Sequence, residues 1–293
     1  MRSATVGTDE TRTSERADER STSRRRTALV VLALLLAALF TYPGSGLLLG
    51  WSSTVDGGIH RFHTVVWGVH TGLLLSGGLI ALLVRTEERV ATAQQVGVAM
   101  AVMMTVFVGS VVIPHFGDPA VGIDRLIFTI MVLVLTCVVL ALHPRRGELL
   151  TTGRRISKPM AAFGVIGLAV AAVYAFDQFH IQLVTDLATD PHSAPGKEHW
   201  AEMASVALSL PLVALGAALR APGFRLVAWT AGLGTLVFGA ASALLAGHAS
   251  SPGAAWGAAA ALGGALFIAV AEIEARREGA TPDVTGPPRG DAV

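Results

Sequence analysis

The sequence predicts an all-α, polytopic membrane protein: eight transmembrane helices forming two tandem parallel four-helix repeats, with both termini inside. Three observations carry that expectation. Of 293 residues, 52% are hydrophobic and only 15% charged, which is more apolar surface than a water-soluble domain of this size buries. The apolar residues gather into continuous stretches of about 20, the length an α-helix needs to cross a hydrocarbon core of about 30 Å. All but three of the 22 Lys and Arg residues fall on one side when these stretches are threaded through a bilayer, and the positive-inside rule makes that side cytoplasmic. The exceptions are Arg61, Arg125 and Lys197.

The elements follow in order. Residues 1–26, rich in Ser, Thr, Arg and Glu, are too polar to bury a core and are expected to form a disordered inner tail. Arg24, Arg25 and Arg26 precede the first span, 28–50. It reads as a retained anchor because it is long and lacks a small-residue cleavage site. Spans at 64–84, 93–114 and 125–142 complete a first repeat over 27–145. A basic inner linker, 146–158, leads to the second repeat, 159–277, with spans at 159–180, 202–219, 224–246 and 253–273. Residues 278–293, with Pro282, Pro287 and Pro288, are expected to form a second disordered inner tail. The apolar runs are continuous rather than alternating, which excludes a membrane β-barrel. Charge segregated by side, with a net charge of +1, leaves no patch for nucleic acid. The single cysteine, Cys137, falls in mid-span and reads as a small core residue; alone, it forms no disulfide within the chain.

Landmarks of different chemistry repeat at nearly constant spacing. His63 and His199 each open a span and stand 136 residues apart. Arg85 and Arg220 each close one, 135 apart, and His115 and His248 each end the next, 133 apart. A duplicated four-span unit returns the chain to its starting side, so the halves share orientation about an axis along the membrane normal. Short connections within each half, "RTEER" and "RAPGFR", favour antiparallel neighbours. His63 is therefore expected to meet His115, and His199 to meet His248.

Eight of the nine histidines then lie on the outer side, together with a group of Asp and Glu residues. Imidazole and carboxylate ligate Zn, Cu, Ni or Fe, and a neutral imidazole also serves as an axial haem ligand. In "GGIHRFHTVVWGVHTG", His60, His63, Trp67 and His70 share one helical face, and His70 lies about 10 Å deeper than His63 at 1.5 Å per residue. An ionisable group at that depth either serves a function or is a neutral ring bonded to a neighbouring carbonyl or hydroxyl. In "GKEHWAEMASVAL", His199, Glu202 and Met203 stand at i, i+3 and i+4, adjacent on one face; Met203 would add a soft ligand for Cu(I). Asp177 and His180 read as interfacial residues, and Met100, Met103 and Met104 as packing. Part of the loop from 176 to 199 is expected to lie on the membrane surface or to cap the bundle.

The eight-span layout with outer histidine pairs resembles haem A synthase, and His60-Arg61 at the start of the second span is similar to a His-Arg found there. That resemblance implies haem held by paired histidines. In this chain, however, the second histidine of each half ends the third and seventh spans rather than lying on the fourth and eighth, and outer-loop cysteines are lacking. "HTVVWG" is similar to the opening of copper-resistance membrane domains of the CopD type.

The sequence reading is therefore an outward-facing, histidine-rich site that binds haem or a metal ion, copper favoured, for redox or metal handling. Candidate cofactor-binding residues are His63, His70, His115, His199 and His248; candidate metal ligands are His60, His63, His115, His199, Glu202, Met203 and His248. The expected partners are the lipid bilayer and other membrane or electron-transfer proteins, in the cell membrane with both termini cytoplasmic. A small-solute permease and an assembly or scaffold subunit are the competing readings.

Overall fold

A computed structural model describes residues 7–54, 58–114, 122–150, 156–185, 189–193 and 198–279, with side chains described except at 7–20, 122–125 and 278–279. Among the described residues the chain is helices joined by short turns, without a strand. We label the long helices α1 (Gly7–Gly44), α2 (Arg61–Leu83), α3 (Val90–Val112), α4 (Gly122–Leu142), α5 (Lys158–Val184), α6 (His199–Ala218), α7 (Phe224–Leu244) and α8 (Ala254–Gly279). Seven of them are long and apolar enough to cross a membrane; α4, apolar over Leu126–Leu142, is the shorter one.

α1 begins at Gly7, so helix stands where the sequence suggests an unstructured tail. Residues 8–26 contain neither Gly nor Pro, and extending a helix that the apolar segment has already nucleated costs little. The other expected tail has helix as far as Gly279, and residues 280–293 lie outside the described residues.

Lipid tails are as apolar as leucine, so helices in a bilayer associate through packing and hydrogen bonds rather than through the hydrophobic effect. The centre is formed by α2, α3 and α6, whereas α5 and α8 are mostly exposed. Phe62, Val65, Val66 and Val69 of α2 and Met203 and Val206 of α6 are fully buried in one shared cluster. Met100, Met103 and Met104 pack into the same cluster. Close approach is bought with glycine: a Cβ on Gly239 of α7 would collide with the backbone of Gly257 and Ala261 of α8. Cys137 is a correction to the expected core position. It is exposed on α4, because Val132, Thr136 and Val139 supply the buried side of that helix.

α2 is α-helical to Gly68 and π-helical over Val69–Ser76. Such widened turns leave carbonyls to be satisfied from elsewhere; here Gln95 Nε2 of α3 donates to the Leu74 carbonyl at 2.8 Å. At the far end of the helices, Arg85 and Arg220 adopt left-handed conformations, φ 52° and 55°, just past α2 and α6. Two long-range backbone bonds tie that end together, Ala91 N to Pro222 O and Ser157 N to Ala218 O, each 2.9 Å.

Candidate metal centre

The opposite end gathers imidazoles. His60 immediately precedes α2, His63 lies in its first turn, and His199 opens α6. Gln182 of α5 fixes the start of α6 by accepting the orphan N–H of Ala201 at 3.2 Å. The turn 189–193 folds back on that helix start, with His199 N donating to the His192 carbonyl at 3.0 Å. Asp190 closes the turn by accepting from Ser193 Oγ at 2.7 Å and from Trp200 Nε1 at 2.9 Å. Burial alone would raise its carboxyl pKa. The Trp200, Ser193 and His192 donors outweigh that and hold it below the usual carboxylate range.

Four rings therefore meet. The centroid of His60 lies 6.2 Å from that of His63, 4.8 Å from His192 and 4.7 Å from His199. His63 lies 5.0 Å from His192 and stacks on His199 at 4.8 Å and 13°. His60, His63 and His192 each offer a ring nitrogen, and these three atoms lie within 4.8 Å of one another, close enough to hold a metal ion. His63 is wholly buried. Its Nε2 is 2.9 Å from Ser250 Oγ, while Nδ1 is buried without a hydrogen-bond partner. His199 Nδ1 donates to Glu202 Oε2 at 2.7 Å, the way carboxylates orient ligating imidazoles.

The predicted residues fare differently. His60, His63, His199 and Glu202 come together, with Glu202 orienting an imidazole. His63 meets His199; its expected pairing with His115 falls outside the described residues. His248 is half-buried, within electrostatic reach of His63, and opens the turn that carries Ser250. His115 lies outside the described residues. His70 stands apart: it is fully buried, and its Nε2 donates to the Ala99 carbonyl of α3 at 3.2 Å, the neighbouring-carbonyl alternative the sequence left open. Met203 packs in the apolar core. His180 is exposed and stacks on Phe176.

His192 was not singled out by sequence reasoning, since no spacing links it to α2. The available signal was local: "TDPHS" combines a turn-forming Asp-Pro with a histidine seven residues before His199.

In comparisons with known proteins, no family model matches the chain, and no curated protein or solved structure matches it.

Proposed function

We propose that this is an integral membrane protein whose histidine end binds a transition-metal ion, copper foremost, for redox or metal handling. The observation that carries the proposal is the convergence of His60, His63 and His192, three nitrogens within 4.8 Å, with His199 stacked beside them. An all-imidazole donor set suits Cu, Zn, Fe and Ni, and divalent copper binds such sites most tightly of the first-row series. The close packing of the four rings favours an ion over haem, because a macrocycle must separate its axial imidazoles and here other imidazoles fill that space. Carboxylates behind His199 and His192 supply the outer partners a ligating histidine normally has. When bound, the ion supplies one-electron chemistry or is itself handed on. The chain's residues hold the rings in place.

The same proposal sets the histidine end outside the cell membrane and the arginine end inside, with cytoplasmic termini. It also takes the halves as a parallel duplication, supported by the matched left-handed arginines 85 and 220 and by the stacking of the equivalent residues His63 and His199. Electron-transfer or metal-handling membrane proteins are the partners this implies.

The test is an optical spectrum and elemental analysis of one detergent-purified sample, produced with haem, copper and zinc supplied. Bound copper without a haem band is expected. A haem band would replace the ion with a porphyrin, and a folded, colourless, metal-free protein would overturn the proposal.

A further inference from the structure

We propose that Ser250 selects which nitrogen of His63 faces the metal, an inference that rests on the metal reading above. Ser250 lies in the turn between α7 and α8. Its φ is 64°, a left-handed conformation that non-glycine residues adopt at a cost and that persists where surrounding contacts enforce it. Arg85 and Arg220, the other non-glycine residues of this kind among the described ones, immediately follow long helices. Ser250 stands free of either helix end, between Leu244 and Ala254.

Two contacts hold it there. Tyr174 of α5 donates its hydroxyl to the Ser250 carbonyl at 2.7 Å, and Ser250 Oγ stands 2.9 Å from His63 Nε2 of α2. The left-handed turn thus presents the carbonyl to one helix and the hydroxyl to another.

A neutral imidazole carries one proton and one lone pair, on different nitrogens. Ser250 occupies Nε2 of His63. Nδ1 is buried without a hydrogen-bond partner in a ring that sits among His60, His192 and His199. A hydroxyl accepts as readily as it donates, so with an ion bound Ser250 accepts the Nε2 proton and the Nδ1 lone pair is directed to the metal. Ser250 is therefore a positioning residue. It serves His63 as Glu202 serves His199, and without it the alternative tautomer, with its lone pair on Nε2, competes.

The test titrates the full-length protein in detergent with copper(II) and with zinc, against a competing chelator, as wild type, Ser250→Ala and Ser250→Asn. Asparagine tolerates the left-handed conformation and offers an amide oxygen in place of the hydroxyl. Ser250→Ala is expected to weaken metal binding about 10- to 100-fold, the usual cost of losing an outer partner. It should also alter the remote-nitrogen signal of the copper(II) form in pulsed electron paramagnetic resonance. Ser250→Asn should regain most of the affinity. Binding by Ser250→Ala within about twofold of wild type, or equal losses in both variants, would overturn the role of Ser250 and leave the metal centre standing. A wild-type protein that binds neither metal would overturn the metal reading, and this inference with it.

Discussion

At the arginine end of the bundle, unlike groups meet. Arg145 is paired with Glu148, Arg220 stands 3.6 Å from Glu274, and Arg225 grips Glu272 through two nitrogens at 2.7 Å each. At the histidine end, like groups meet: four imidazoles stand with centroids 4.7 to 6.2 Å apart. The first arrangement is self-sufficient, since each cation brings its counter-charge. The second concentrates Lewis bases in a buried place, where polar groups are costly unless satisfied; Asp190 and Glu202 bond His192 and His199 from behind, and a metal cation would satisfy the converging ring nitrogens together. The comparison teaches that polar residues clustered in a membrane protein need not mark a site. What matters is whether donor atoms of one kind converge on a common point.

The largest effect should come from breaking the histidine end. His63→Ala removes a ligand and is expected to reduce copper affinity by more than about 100-fold, beyond the usual cost of an outer-partner loss, while the arginine-end ion pairs persist. Competition titration measures it. The converse experiment is Arg220→Ala. Arg220 and Glu274 are only 11% and 12% exposed, and breaking a buried pair should cost about 3 kcal/mol; Arg277, 3.2 Å from Glu274, holds the loss to the lower end. The expected result is a lower melting temperature with unchanged metal affinity.

A smaller effect concerns pH. His143 lies just beyond α4, donating from Nε2 to the Thr86 carbonyl at 3.0 Å and accepting at Nδ1 from Arg145 N at 3.2 Å. Burial lowers its pKa, with Arg145 adding to that and the Thr86 carbonyl partly opposing it. The unfolded chain therefore binds the proton more readily. The stability from neutral His143 is fully present above about pH 6.5 and is lost as pH falls through the lowered folded value. His143→Gln should flatten that dependence in melting curves taken from neutral to mildly acidic pH. The smallest effect is expected from Arg145→Ala. Its partner is substantially exposed, and exposed pairs contribute little, so neither melting temperature nor metal binding should move measurably.

Much of this contrast was legible in the chain. Helical spacing placed His60 and His63 on one face and His199 beside Glu202, because both arrangements are local consequences of 3.6 residues per turn. What escaped was non-local. His192 reaches the centre only because Asp190 and Trp200 fold its turn onto α6. Ser250 contributes through a single left-handed residue that no periodicity reveals. Met203 shares a face with His199 by spacing, yet the neighbouring helices enclose it in the apolar core. Cys137 looked internal because α4 is apolar all round, so composition could not tell its lipid side from its packed side.

The most direct test counts copper and zinc per chain in purified protein after exposure to both metals and removal of the excess. Wild type should retain about one ion per chain, and a variant lacking His60, His63 and His192 should retain essentially none. Wild type that retains no metal, or a variant that retains as much, would contradict the claim that these imidazoles form a metal centre.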